Sequence, residues 1–346
     1  MEHNILVIGN GFDLAHGLKT RYIDFIDYVR NKMWNDFESN NYASEIFRIV
    51  EMDKNGFIKY FLSYTEEIPG WVDMERLIKR IIDQFQILFQ NYKEYLCNGY
   101  FVEKKMPSEL CDVLEQFGMK KYKFYDKKLG NCFTIDEYSE IYGLNKGKII
   151  QMSRRQLDGL IRALECYLIL ETGLNPIDKS KVKKQIVEIN PSYVISFNYT
   201  TTYKLYGIND DDVFHVHGKI ESKPNNMVLG FDDDNPENLD FVYFKKYFQR
   251  IQKLTGYIDS DRFSYTDGNC ITYSNAMTVH FYGHSMDNTD GDIIRKLKKL
   301  SNGFVIYKYN QEDFEQKVIN LIDVFGKEEA TKLIQNGFIK FEPCSE

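Results

Sequence analysis

The sequence predicts an α/β protein: one mostly parallel sheet interrupted by a large helical insertion. Three observations carry this prediction. Residues 4–8 (NILVI) are an apolar, β-branched run that stops at Gly9 and leads into helical spacing. Further apolar runs at 192–199, 213–217, 227–231, 277–283 and 303–309 share the second half of the chain with helical segments at 240–254, 289–300 and 311–325. Alternation of that kind is how strands and crossover helices of a parallel sheet read. Between these two regions, 40–190 has a different, helical texture.

The first run has no polar alternation, as expected of a strand covered on both faces. The segment 22–36 places Tyr22, Phe25, Ile26, Val29 and Met33 at helical spacing. Strand, glycine turn and helix together open a Rossmann-like nucleotide-binding unit. In 72–96, Leu77, Ile78, Ile81, Ile82, Phe85, Leu88 and Phe89 share one broad face, with Asp73 placed to cap the helix start. Residues 147–172 repeat that texture. The stretch 98–145, rich in Gly, Lys, Tyr and Asp, reads as loops with short elements, and 255–275 as a polar surface loop. The expected organisation is a Rossmann-like domain of 1–40 and 190–326, a helical lobe of 41–189, and a tail of 327–346 adding a short helix and strand.

Composition narrows the class. The 346 residues include 44 Lys+Arg and 51 Asp+Glu, a net charge of −7, with 43% hydrophobic residues. That excludes a collagen, a coiled-coil rod or a disordered chain. Net acidity argues against broad electrostatic binding of nucleic acid. Six cysteines, at 97, 111, 132, 166, 270 and 344, form no CxxC pair and no zinc-like spacing. Free thiols in a reducing cytoplasm are expected. No stretch approaches the roughly 18 apolar residues of a membrane span, and the apolar run at the start is too short for a signal peptide.

Four clusters could carry chemistry, each at the C-terminal end of a predicted strand, the edge where open parallel sheets bind ligands. In Gly9-Asn10-Gly11-Phe12-Asp13, the glycines permit close backbone approach and the following N–H groups could hold a pyrophosphate. The same residues also suit a tight turn in which Asp13 merely caps a helix. The GxGxxG fingerprint is not met, because Leu14 stands at its third glycine. Asn198, in Ser196-Phe197-Asn198-Tyr199-Thr200, could orient a water or a ribose hydroxyl, or simply end its strand. In Phe214-His215-Val216-His217-Gly218, strand alternation puts both histidines on one side. His217 could act as a general base, and a metal is disfavoured for want of further ligands at a familiar spacing. Tyr282-Gly283-His284-Ser285-Met286-Asp287 lacks the second glycine of a nucleophile elbow. Asp287 or Asp290 could cap the next helix. The acids in Trp71-Val72-Asp73-Met74-Glu75 and in Gly230-Phe231-Asp232-Asp233-Asp234 read as a helix start and a solvated turn.

Taken together, ILVIGNGFDLAHGLKTRYIDF, WVDME, SFNYTTT, FHVHGK, LGFDDD and FYGHSMDNTDGDI resemble the bacteriophage abortive infection AbiH family, over about residues 1–310. That family is in turn similar to Sir2-like NAD-binding proteins. Against the sirtuin glycine motif, Gly9, Gly11 and Gly17 match its glycines. Asn198 matches its asparagine, His217 its general base, and Gly283 with Ser285 its adenosine-side segment. The resemblance implies NAD held by Gly9, Asn10, Gly11, Phe12, His16 and Gly17, and by Gly283, Ser285 and Asp287. It implies Asn198 and His217 as catalytic residues, and Asp13 is added as a candidate electrostatic partner of the ribose. Thr200 stands where many Sir2-like enzymes have Asp, Asp13 replaces a small Ser, Lys19 replaces Pro, and the zinc-ribbon cysteine pairs are missing. Protein deacetylation is therefore not expected. The expectation is a cytoplasmic phage-defence protein that hydrolyses the nicotinamide–ribose bond of NAD, needing no metal. The alternative is a non-catalytic sensor of a nucleotide or phage protein, signalling through the helical lobe. A phage protein as trigger and a homo-oligomer stay open.

Overall fold

The structure, a computed structural model, describes residues 3–64, 71–135, 138–140, 143–174, 179–231, 239–256, 264–267, 270–273 and 277–344. The side chains of Trp71, Val72 and Asp73 and the acidic turn Asp232-Asp233-Asp234 lie outside the described residues. Within 255–275, where the sequence reads a polar loop, Ser264–Asp267 and Cys270–Tyr273 pair as two antiparallel strands. The chain divides into two compact units. One comprises Met1–Arg21, Glu171–Val228 and Arg250–Glu346; the other comprises Tyr22–Leu170 and Leu229–Gln249.

The first unit contains strands β1 (His3–Ile8), β2 (Tyr193–Ser196), β3 (Val213–His215), β4 (Met277–Tyr282), β5 (Gly303–Lys308) and β6 (Ile339–Pro343). They form one six-stranded sheet in the order β3-β2-β1-β4-β5-β6. Every pairing is parallel. The protein is thus α/β with a parallel sheet, as the sequence predicts. Strand β1 explains its own lack of alternation. Ile5 and Val7 pack with Ile195, Val279, Phe281 and Ile306 on one face, while Leu6 and Ile8 pack with Phe12, Val194, Tyr203 and Tyr282 on the other. With both faces in apolar surroundings, no position favours a polar residue. From β1 the chain fills one side of the sheet with β2 and β3, then resumes on the other side with β4. The strand order therefore reverses between β1 and β4, the topological switch point.

Helices α1 (Asn10–Ala15), α2 (Lys184–Ile189), α3 (Gly291–Leu300), α4 (Gln311–Phe325) and α5 (Lys327–Gln335) belong to this unit. Helix α4 has the bounds the periodicity gives, and it starts where Asn310 Oδ1 accepts the Asp313 N–H at 2.8 Å. The 327–346 segment supplies α5 and β6, which complete the sheet.

One predicted strand is absent. Residues 227–231 form no strand, and Phe231 makes only an isolated bridge with Lys245. Side chains replace a strand partner there. Tyr199 Oη donates to the Val228 carbonyl at 2.7 Å. Gln249 accepts the Leu229 N–H at 3.1 Å and donates to its carbonyl at 2.7 Å.

The second unit is largely helical, with Tyr22–Asn31, Asn41–Phe47, Gly56–Ser63, Trp71–Tyr95, Ser108–Gln116 and most of Lys146–Leu174. The helix Tyr22–Asn31, expected with the nucleotide-binding domain, falls here. Its core is aromatic: Phe57, Phe85, Phe117, Phe241 and Phe244 touch ring to ring. Buried Lys246 Nζ pairs with Glu75 Oε1 at 2.7 Å. The stretch read as loops with short elements contributes to a small antiparallel sheet of Leu96–Cys97, Tyr100–Val102, Gly130–Thr134 and Lys121–Asp126, in that order. Strand Lys121–Asp126 is exposed along nearly its whole length, so it carries no alternation for a sequence reading to detect. Among the described residues, no helix is long and apolar enough to cross a membrane.

Candidate functional site

All the candidate residues lie in the first unit, on the turns that leave β1, β2, β3 and β4 at their C-terminal ends. The turns after β1 and β4 meet backbone to backbone at the switch point. Gly11 N donates to the Gly283 carbonyl at 2.9 Å, and Gly9 N to the Tyr282 carbonyl at 3.3 Å. A Cβ on Gly9 would lie 2.7 Å from Gly283 O, and one on Gly11 would lie 2.8 Å from Gly283 Cα. Gly283 has φ +67°, and its own Cβ would fall 2.1 Å from Phe12 N. These glycines let two turns touch. The Gly11 N–H, expected to face a pyrophosphate, is already bonded to Gly283.

Asn198 joins the β2 turn to the β1 turn, its Nδ2 donating to the Gly9 carbonyl at 2.9 Å. Beside it lies Asp13, only 1% exposed. Thr200 Oγ1 donates to Asp13 Oδ2 at 2.6 Å, and Thr202 Oγ1 lies 3.1 Å from Thr200 Oγ1. Asp13 Oδ1 is buried without a well-aligned hydrogen bond among the described residues. Burial pushes the carboxyl up to about 6, against the opposing pull of Thr200, Thr202 and Asn198. Asp13 is therefore no exposed helix cap. It is a buried carboxylate that still ionises near neutrality. Thr200 supplies the shortest of the hydrogen bonds to it.

The two histidines after β2 take different directions. Strand β3 ends at His215, whose Nε2 lies 3.1 Å from Tyr203 Oη. Burial lowers His215 to about 4. His217 is past the strand, just before Gly218 turns at φ +73°. It is 6% exposed and packs against Phe197 and Tyr199. The expectation that both face one side fails because the extended backbone stops between them. His217 Nε2 is 3.1 Å from Asp290 Oδ1, and His284 Nε2 is 3.8 Å from Asp290 Oδ2. The sequence offered Asp290 as a candidate helix cap and His284 as one member of the fourth cluster, without pairing either with His217. Their signal was available only as polar residues at a strand end and a helix start.

Other candidates do different work. Phe12 and His16 are buried in the core. Phe12 packs on Tyr282 and Tyr206. His16 Nδ1 is 2.6 Å from the Phe12 carbonyl, its Nε2 is 2.7 Å from Tyr206 Oη, and burial lowers its pKa. The Lys181 ammonium sits over Gly17. Asn10 Oδ1 accepts from Thr20 Oγ1 at 2.6 Å, and Asn10 and Gly11 are half-buried. Ser285 is exposed, and Asp287 caps the turn into α3 by accepting the Thr289 N–H at 3.0 Å. A cavity of about 590 Å³ lies in the helical unit, lined by Ile49, Asn55, Met152 and Gln156 among others, and none of the predicted site residues lines it. Among the described residues no group of three or more His, Cys, Asp or Glu could hold a metal. Cys97, Cys111, Cys132, Cys166 and Cys344 are free thiols.

Fold and contacts define a class: a parallel α/β protein with buried carboxylates and imidazoles gathered at the C-terminal edge of its sheet. The chain belongs to the bacteriophage abortive infection AbiH family, whose model matches residues 5–309, a span that includes every residue of this cluster. The family assigns the protein to abortive defence against phage. No curated protein and no solved structure matches the chain.

Proposed function

We propose that this protein defends against phage by binding NAD at the rim above β1, β2, β3 and β4 and hydrolysing its nicotinamide–ribose bond. One observation carries the reading: Gly9, Asp13, Asn198 and Gly283, far apart in the chain, meet within one compact unit at the switch point of the sheet, and Phe197 packs on both His284 there and His217. The strand order is that of Rossmann-type dinucleotide-binding sheets. Lys181, over Gly17, brings positive charge to the side where a pyrophosphate would rest.

In this reading Asn198 orients a water or a ribose hydroxyl. Asp13, ionised above about pH 6, supports the positive charge that develops on the ribose. Hydrolysis breaks the bond between ribose C1′ and the nicotinamide nitrogen, and the electron pair leaves with neutral nicotinamide. Water adds to C1′, and His217 accepts the proton that water loses. Nicotinamide and ADP-ribose result, with one proton released.

The sensor reading is favoured by a different observation. Gly11 N–H and Asn198 Nδ2 are both satisfied by neighbouring backbone, as a purely structural junction would be. Purified protein incubated with NAD, with and without phage lysate, decides between the two by nicotinamide release. Hydrolysis predicts that Asn198→Ala and His217→Ala abolish both release and phage protection. Protection that survives those changes but not Gly11→Val selects the sensor. Protection indifferent to all three rejects both.

A further inference from the structure

We propose that the exposed edge strand Lys121–Asp126 of the helical unit is a binding surface for single-stranded nucleic acid, with Tyr122 and Tyr125 as stacking platforms and the lysines around them holding phosphates. The whole chain carries a net charge of −7, yet residues 120–128 (KKYKFYDKK) hold five lysines against one aspartate. A sum over the chain conceals this local reversal of sign. The strand pairs on one side only, with Gly130–Thr134, and is the last of its four-stranded sheet. Tyr122 is 76% exposed and Tyr125 72%. Phe124 and Tyr100 are exposed too, and meet edge to face at 4.9 Å.

Protection of an open edge accounts for part of this pattern. Lysines and a bulge discourage another strand from pairing there, and the register does shift between Lys121 and Phe124, where Tyr122 takes φ +42°. Edge protection does not account for the rings, because exposed aromatic side chains on a strand promote the association that lysines oppose. The charge is also free to act outward. Glu103 accepts from Lys120 Nζ at 2.8 Å and Glu115 from Lys123 Nζ at 2.6 Å. Asp126 accepts the Lys128 and Leu129 N–H groups at 2.7 and 2.8 Å. Lys121, Lys127 and Lys128 are exposed and form no ion pair among the described residues. Lys104 Nζ donates to the Lys128 carbonyl at 2.5 Å, which adds a sixth ammonium to the turn.

The bulge decides between a peptide and a polyanion as the occupant. A peptide that extends the sheet needs a regular row of outward N–H and C=O groups, and the left-handed Tyr122 interrupts that row. A single strand needs only unstacked bases to meet ring faces and phosphates to meet ammonium groups. A duplex keeps its bases stacked within itself and offers the rings little.

The test uses the whole chain with fluorescein-labelled oligo(dT) and oligo(U) of about 15 nucleotides. Anisotropy is read without NAD, so the outcome is independent of the hydrolytic reading. Binding of either probe is expected, weaker once oligo(dA) or oligo(A) pairs with it. Log K should fall against log salt with a slope of about −2 for three phosphate contacts. Tyr122→Asn, which suits a left-handed residue, and Tyr125→Ala each remove an exposed ring and should weaken binding at least about five-fold. Lys127→Glu combined with Lys128→Glu should weaken it and flatten the salt slope. Ultraviolet cross-linking of the wild type is expected to mark residues 121–128, a readout that needs no variant to fold. Cross-links confined to other segments, duplex bound as tightly as single strand, or wild-type affinity in both tyrosine variants each overturn the proposal. No binding at low salt overturns it in favour of a protein partner.

Discussion

Asp13 shows how a single residue reports on function through its cost. Its folded pKa is about 6 against an ordinary 3.8. Well below the ordinary value of 3.8 both states are protonated and the residue is neutral to stability. As pH rises to 6 the unfolded chain ionises first, so stability falls, and above pH 6 the full penalty applies, about 3 kcal/mol for a shift of this size. Asp13→Asn is expected to stabilise the protein at pH 8 by up to about 3 kcal/mol and to change it little at pH 4, as urea unfolding at the two pH values would show. The same variant should lose nicotinamide release. Strand ends followed by turns marked Asp13, Asn198 and His217 as candidates, and the family resemblance implied roles for Asn198 and His217. Neither could reveal that Thr200 supplies a hydrogen bond to Asp13, since residues so distant in sequence meet only through parallel pairing of β1 with β2.

At the scale of elements, the junction of the β1 and β4 turns is the most constrained feature. Gly283→Ala would force a Cβ to within 2.1 Å of Phe12 N at a left-handed φ. Its neighbour is backbone and cannot yield, so a loss of several kcal/mol is expected, measured as a lowered urea midpoint. By contrast, Asn310→Ala removes one helix cap and should cost about 1 kcal/mol without affecting ligand binding. Helix α4 was legible because its burial repeats with a helical period, and β1 because it is an unbroken apolar run that ends at a glycine. The 227–231 run was misread as a strand because apolar composition records burial, while Tyr199 and Gln249 decide where its backbone groups bond. The exposed strand Lys121–Asp126 had the opposite fault, being a strand without burial.

For the molecule as a whole, buried imidazoles set the response to acid. Burial lowers His215, His280 and His284 from 6.5 to about 4. Below pH 6.5 the unfolded chain takes up protons that these folded sites refuse, so stability is lost as pH falls toward 4. For fully buried His284 this is about 3 kcal/mol. Asp13 works in the opposite direction over part of that range, but it is one group against three. The urea midpoint should therefore fall between pH 7 and 4.5, and His280→Gln should lessen the fall. The C-terminal segment gives a second prediction. The family match stops at residue 309, yet Leu333 and Ile339 lie in the core and β6 pairs with β5. Truncation after Gly326 would uncover that core and leave β5 as an open edge; the shortened chain is expected to aggregate, which light scattering would detect.

Local physics was enough to place the strands, the long helices and the four polar turns at their C-terminal ends, because covered faces and chain reversals leave periodic and punctuated traces in the residues themselves. The strand order, the contact of Gly11 with Gly283, and the union of His217, His284 and Asp290 required the folded chain. Which turn meets which depends on how strands pair across long separations, and neither register nor side-chain direction past a strand end has any periodic signature. His217 illustrates the division: its candidacy came from being a histidine before a glycine, and its partner came from a helix start more than seventy positions later.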